Sequence, residues 1–174
     1  MKDPSGPWLI LVGPLVFLGF AFFTRARSPR ILAALLGGVA AGALNVAWDL
    51  LGHREGWWSY PGMDGRGYGP LVWYVTGGLA FGGGFGLLGW RVHRRFGSRG
   101  LAIFLAAAGL YGTIRDWVTS RTIADGVIVF GAGALPWMAD FAAWFTAIGL
   151  AQAIQIALRG DPRRERLARA PAEP

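Results

Sequence analysis

The amino-acid sequence predicts an all-α polytopic membrane protein, a single bundle of five transmembrane helices over 1–159 followed by a basic tail, 160–174. Three observations carry this. Hydrophobic residues make up 53% of the 174 positions and charged ones only 16%, where a soluble domain carries about a quarter charged residues. The charge is uneven, and long stretches carry none at all. The arginines gather in short clusters between the apolar runs.

Each span follows from length. A bilayer core needs about 20 apolar helical residues, because every backbone N–H and C=O must be satisfied within the segment. The first span is 7–24, in MKDPSGPWLILVGPLVFLGFAFF. Its start lacks a positive excess and no small-residue cleavage pattern follows, so it reads as a span and not as a secretory signal. The second is 31–51. The third is 70–90, with Pro70 in the first turn, where a missing N–H costs nothing. The fourth, 101–118, is the weakest: its uncharged part, LAIFLAAAGLYGTI, stops at Arg115 after about 14 residues, short enough for a re-entrant piece. The fifth is 134–158.

Arginine placement sets the expected orientation. Arg25, Arg27 and Arg30 follow span one, Arg91, Arg94, Arg95 and Arg99 follow span three, and Arg159, Arg163, Arg164, Arg166 and Arg169 follow span five. These are alternate connections, so they belong on the cytoplasmic side, with the N-terminus outside and the C-terminus inside. The expected location is the cell membrane, crossed several times. The tail is polar, Pro-containing and basic, and is expected to be disordered and to lean on anionic headgroups.

Several function classes fall away. The net charge of +7 does not lie along one basic face, so nucleic acid is not an expected partner. The chain has no cysteine, hence no thiolate nucleophile and no thiolate metal site. His53 has Asp49, Glu55 and Asp64 nearby, but one histidine without a second is a poor zinc or iron signature. No metal and no cofactor is expected. Membrane lipid is the expected partner, and a homo- or hetero-oligomeric state stays open.

Small residues four apart let helices approach closely in lipid. Gly38 and Gly42 do so on span two, with Asn45 and Asp49 continuing the stripe. Gly78, Gly82 and Gly86 repeat the spacing on span three. The two stripes are expected to pack together.

The polar residues gather at one depth. Asp49 ends span two, Arg115 and Asp116 end span four, and Asp140 lies about two turns inside span five. An ionisable residue within a span usually faces the bundle interior. Asp140 shares a helical face with Trp137 and Trp144. A carboxyl against indoles in low dielectric holds its proton more firmly than in water, as a proton donor near neutral pH must. The alternative reading, a structural pair of Asp140 with Arg115, stands slightly ahead of it. Most tryptophans also fall near the outer boundary: Trp8, Trp48, Trp57, Trp58, Trp73, Trp117 and Trp137, against Trp90 alone at the inner one. A belt would decorate both interfaces. The excess suggests aromatics lining a cavity, and indole faces attract cations.

The stretch from Asp49 to Tyr60, DLLGHREGWWSY, has the form D-x-x-G-x-x-x-G-x-W-x-Y, and Gly69-Pro70-Leu71 comes after a loop. Over residues 45–75 this resembles the lycopene cyclase domain and, more distantly, the small integral-membrane terpene cyclases. The matching positions are Asp49, Gly52, Gly56, Trp58, Tyr60 and Pro70. They imply a similar helix–loop–helix arrangement and an isoprenoid-shaped cavity. Val72 and Trp73 stand where that family has a glutamate pair, so a cyclase here would draw its proton from Asp116, Asp140 or Glu55.

The expected function is an outward-facing acidic and aromatic pocket handling an isoprenoid or related lipid, by acid-initiated cyclisation or isomerisation if it is an enzyme. Asp49, Asp116, Asp140 and Glu55 are the candidate catalytic residues. Asn45, Trp57, Trp58, Tyr60, Trp73, Arg115, Trp117 and Trp137 are the candidate substrate-binding ones. Two alternatives stand beside it, a non-catalytic lipid-binding or assembly subunit and a small transporter.

Overall fold

A computed structural model describes residues 9–61, 67–122 and 128–167. The first residues of span one with Trp8, the loop residue Asp64 and the tail beyond residue 167 lie outside the described residues. The described chain is helical almost throughout: α1 (Leu9–Thr24), α2 (Ser28–Arg54), α3 (Leu71–Gly77), a π-helical segment (Gly78–Gly84), α4 (Phe85–Thr122), α5 (Leu135–Arg159) and the short α6 (Pro162–Leu167). Two-residue strands β1 (Trp58–Ser59) and β2 (Val129–Phe130) form one antiparallel ladder. The all-α expectation holds, with this ladder as an added element.

Three helical runs are long and apolar enough to cross a membrane: Ser28–Arg54, Leu71–Thr122 and Leu135–Arg159. The middle one has 52 residues, about 78 Å if straight at 1.5 Å per residue, far beyond a bilayer core of about 30 Å. It does not run straight. Gly97 leaves helical geometry at φ 70°, ψ −163°, a backbone region open to glycine and closed to most other residues. The chain doubles back there. A Cβ at Gly89 would meet the Phe104 ring at 3.1 Å, the Phe85 and Phe104 ring centroids are 6.1 Å apart, and those of Phe85 and Tyr111 are 5.9 Å apart. The midpoints of these pairs fall within about three residues of Gly97, as in an antiparallel hairpin. The described chain is thus five helical rods, two of them the arms of this hairpin.

Small residues bring the rods together. Gly38 of α2 meets Gly78 backbone to backbone, with a Cβ at either reaching the other's carbonyl oxygen at 2.6 Å, and a Cβ at Gly42 would lie 2.8 Å from the Tyr74 carbonyl. Gly82 rests on Ala41 and Gly38. Gly86 does not continue the stripe and faces Gln155 of α5 instead. The π segment explains this: its wider i→i+5 turns hold extra residues and rotate α4 off the 3.6-residue stripe. On α1, Phe17 is buried against Gly83 and Ala34, and Phe20 packs on Gly84 and edge-on to Phe85. On α5, Ala147, Ile148 and Ala151 form a tight, fully apolar middle, with the Ala151 carbonyl 2.8 Å from a Cβ at Gly37.

At one end of the bundle stand Asp49, Asp116 and Asp140; at the other stand Arg30, the Gly97 bend and α6. Gly160, at φ 79°, ends α5. Within the segment expected to be disordered from residue 160, Pro162–Leu167 is a short helix: Asp161 accepts the Arg163 N–H at 2.9 Å, and Pro162 is fully buried. That backbone hydrogen bond, with help from the Arg163 guanidinium, holds the Asp161 carboxyl below the usual carboxylate range.

Candidate functional site

The first half of the site is a corner built by the residues of the D-x-x-G-x-x-x-G-x-W-x-Y stretch. Helix α2 carries Asp49 and, three residues on, Gly52 on the same face. The helix ends at Glu55, and Gly56 turns the chain at φ 71°. The Trp57 N–H then bonds the Gly52 carbonyl at 2.7 Å. This folds Trp58 back onto the helix it has just left. Its indole lies flat against Gly52, where a Cβ would come within 2.3 Å of two ring carbons. Trp58 is 3% exposed. Its Nε1–H donates to Asp49 Oδ1 at 3.1 Å.

Tyr74 donates its hydroxyl proton to Asp49 Oδ2, and its oxygen accepts the Gly69 N–H at 2.8 Å. Tyr60 is a third side-chain partner of Asp49, with its ring 6.1 Å from that of Trp73. Burial, reinforced by the Asp49 charge, pushes the Tyr60 phenol well above its ordinary value, so it stays a donor. β1 fastens the corner to the chain before α5: Trp58 pairs with Phe130, and Phe130 stacks on Trp137 at 4.0 Å.

The second half repeats the same device. Gly112 and Asp116 sit four apart on α4. The Trp144 indole of α5 lies over Gly112, where a Cβ would be 2.1 Å from the ring, and its Nε1–H donates to Asp116 Oδ2 at 2.8 Å. Arg115 donates to Asp116 Oδ1 at 2.9 Å. Its guanidinium carbon stands 5.5 Å from the Phe81 centroid and 5.5 Å from that of Trp144, a cation–π arrangement on both. Of the expected structural pair of Asp140 with Arg115, no hydrogen bond forms among the described residues: Arg115 closes on Asp116, and its charge reaches Asp140 from there.

Asp140 lies between the two halves, close enough to feel the charges of both Asp116 and Asp49, and is 5% exposed. Its Oδ2 has no hydrogen-bond partner among the described residues. Thr113 faces it within hydrogen-bonding reach. The Thr113 hydroxyl donates to the Gly109 carbonyl at 3.2 Å, and a hydroxyl has a single proton to give.

The candidates separate accordingly. Asp49, Asp116, Asp140, Trp58, Tyr60 and Arg115 come together. Trp57, Trp73 and Trp137 pack behind them, on Trp58, Tyr60 and Phe130. Glu55 is exposed at the helix end with Arg54 at 3.9 Å, so it is outside the cluster. Trp117 is 44% exposed and holds Arg121 over its ring; helix periodicity turns it outward from Asp116. Asn45 is half-buried one turn before Asp49. Tyr74 and Trp144 are donors to the carboxyl groups that sequence reasoning does not place among the site residues. Among the described residues no group of three or more His, Cys, Asp and Glu could hold a metal ion.

A cavity of about 250 Å³ opens beside the corner, between α2 and α3. Gly38, Gly42, Ala43 and Val46 line one wall, with Tyr74 and Leu79 opposite. It is almost wholly apolar, and Tyr74 joins it to Asp49. No family model, no curated protein and no solved structure matches the chain.

Proposed function

We propose that the protein crosses the cell membrane five times, with the aspartate end outside and the arginine end in the cytoplasm, and that the aspartate end acts on an isoprenoid or related lipid. The doubling back at Gly97 supports five crossings, because it turns the 52-residue run into two arms of membrane-spanning length. The arginine clusters support the direction.

The observation that carries the catalytic reading is the unequal treatment of the three carboxyl groups. Asp49 receives N–H and O–H donors from Trp58, Tyr74 and Tyr60, and Asp116 receives Trp144 and Arg115. Both are used as acceptors, as carboxylates are. Asp140 alone keeps an oxygen, Oδ2, with no hydrogen-bond partner among the described residues, on a residue only 5% exposed. It is the proton donor of the set. In the reaction, the Asp140 proton adds to one carbon of a substrate C=C bond and leaves a carbocation at the other. The carboxylate left on Asp140 and the neighbouring Asp49 stabilise that cation, a new C–C bond or a shifted double bond forms, and a proton returns to Asp140. The hydrocarbon chain lies in the groove between α2 and α3, with its reacting end towards Tyr74. The D-x-x-G-x-x-x-G-x-W-x-Y resemblance to lycopene cyclase domains agrees with this substrate class.

Expression in a lycopene- or polyprenyl-producing host tests the proposal. Wild type changes the lipid profile and Asp140→Asn does not. Identical profiles in host, wild type and variant remove the enzymatic version.

A second reading, a non-catalytic lipid-binding or assembly subunit, has one observation in its favour. Gly52, Gly56, Trp58 and Tyr60 are all engaged in building the corner, and such a corner has structural value without any reaction. Co-purification of a stoichiometric lipid or partner without turnover favours it. The transporter reading is weakest, since Ala147, Ile148 and Ala151 make the centre of α5 dry.

A further inference from the structure

Helix α5 carries a second polar region, at the end opposite the aspartates. Gln152 is 2% exposed and Gln155 0%, and His93 of α4 is 7% exposed. The two glutamines sit three apart, on one face of α5. Gly86, Gly89 and His93 lie at i, i+3 and i+7 on α4, again one face. A Cβ at Gly86 would come within 2.0 Å of Gln155 Nε2, and one at Gly89 within 2.6 Å of Gln152 Oε1. The two glycines therefore make room for two carboxamides. Yet both carboxamide nitrogens, both carboxamide oxygens and both ring nitrogens of His93 have no hydrogen-bond partner among the described residues.

Buried polar groups in folded proteins find partners, and hydrocarbon around a helix offers none. Apolar side chains would have filled the space beside Gly86 and Gly89 at no such cost. Carboxamides offer donors and acceptors together, so the lining suits a small neutral ligand that does the same. We propose that this end of the bundle encloses a water-binding chamber walled by Gln152, Gln155 and His93. At about three hydrogen bonds per buried water, six such atoms match about two waters. Arg30, buried with its guanidinium 5.3 Å from the Trp90 centroid, and Asp161, which feels the His93 ring, are the charged groups at its edge. Ile148 and Ala151 are fully buried and apolar, and lie on α5 between Asp140 and Gln152.

Hydroxyl-radical footprinting by water radiolysis, on the full chain in lipid nanodiscs, tests this, because radicals formed at trapped water oxidise neighbouring side chains that bulk solvent does not reach. The chain has two histidines, and His53 is exposed, an internal reference of the same chemistry. His93 is expected to be oxidised within an order of magnitude of the His53 rate despite its burial. The double substitution Gln152→Leu/Gln155→Leu is expected to lower the His93 rate by about an order of magnitude and leave His53 unchanged. A His93 rate more than an order of magnitude below that of His53 overturns the proposal, as does a rate untouched by the double substitution. Should that variant fail to fold, the wild-type ratio alone decides.

Discussion

Replacing Gly52 by alanine places a methyl group 2.3 Å from two carbons of the Trp58 ring. Ordinary contact begins near 3.4 Å, so the indole must retreat by about 1 Å. It has little freedom to do so. Trp58 is held on one side by its pairing with Phe130 and on the other by the Trp57 N–H bond to Gly52 itself. A retreat of that size stretches the 3.1 Å bond from Trp58 Nε1 to Asp49 past hydrogen-bonding range. Losing a donor to a carboxylate costs about 1.5–3 kcal/mol, and crowding a packed site costs about 1–3 kcal/mol. Alanine's better helix propensity returns about 1 kcal/mol. The net expectation is a loss of about 3 kcal/mol by this sum. The reference is Gly149→Ala on α5, where a Cβ would meet nothing within 4 Å, and where the propensity gain of up to about 1 kcal/mol stands alone. Equilibrium unfolding in mixed detergent micelles, followed by tryptophan fluorescence, compares the two. Equal stability of Gly52→Ala and Gly149→Ala would refute the corner as described.

Trp144→Phe keeps a ring over Gly112 but removes the donor to Asp116, and is expected to cost about 1.5–3 kcal/mol in the same unfolding assay, against no change for Trp117→Phe, whose ring is exposed. Gly56→Ala, at φ 71° with open space around it, is expected to lose about 1–2 kcal/mol from backbone strain alone, and Gly56→Asn less. The folded-state Tyr60 phenol is raised above its unfolded value, so its contribution is fully present below about pH 10. As pH rises past that point the unfolded chain releases a proton that the folded chain keeps, and stability falls; Tyr60→Phe is expected to flatten this alkaline loss in a pH series of unfolding midpoints.

Much of the fold is legible in the amino-acid pattern because long apolar runs of this length leave few options other than helix. The five apolar segments coincide with five helical rods, and three helical runs are long and apolar enough to cross a membrane. The fourth looks too short in sequence because Arg115 and Asp116 read as an end, whereas α4 runs on to Thr122 and the pair is met by Trp144, Phe81 and each other. The Gly38 and Gly42 stripe finds its partner in Gly78 and Gly82. The π segment is not legible, since nothing in GLAFGGG marks an i→i+5 turn, and it carries Gly86 round to Gln155.

The site is partly legible for the same reasons. Depth along each helix brings Asp49, Asp116 and Asp140 to one end, but depth does not give direction around the axis, and so Trp117 reads as a lining residue although it points out. Glu55 is close to Asp49 in sequence, yet the helix ends there and the chain turns at Gly56. The signal that could have found the missing donors is the repeated pairing of an aspartate with a glycine three or four residues away, Asp49 with Gly52 and Asp116 with Gly112. A carboxylate beside a bare patch of helix suits an indole that lies flat and donates its N–H, and Trp58 and Trp144 are those indoles. Gln152, Gln155 and His93 leave little trace in the pattern because they fall at or beyond the inner ends of the expected spans 134–158 and 70–90, where polar residues read as the boundary.

Mass spectrometry of lipids retained by the purified protein tests the substrate class most directly, with Ala43→Trp, which fills the groove between α2 and α3, as its comparison. The account predicts an isoprenoid lipid held by the wild type in near-equimolar amount and lost from the variant. Retention by both of nothing but the surrounding membrane's phospholipids would contradict it.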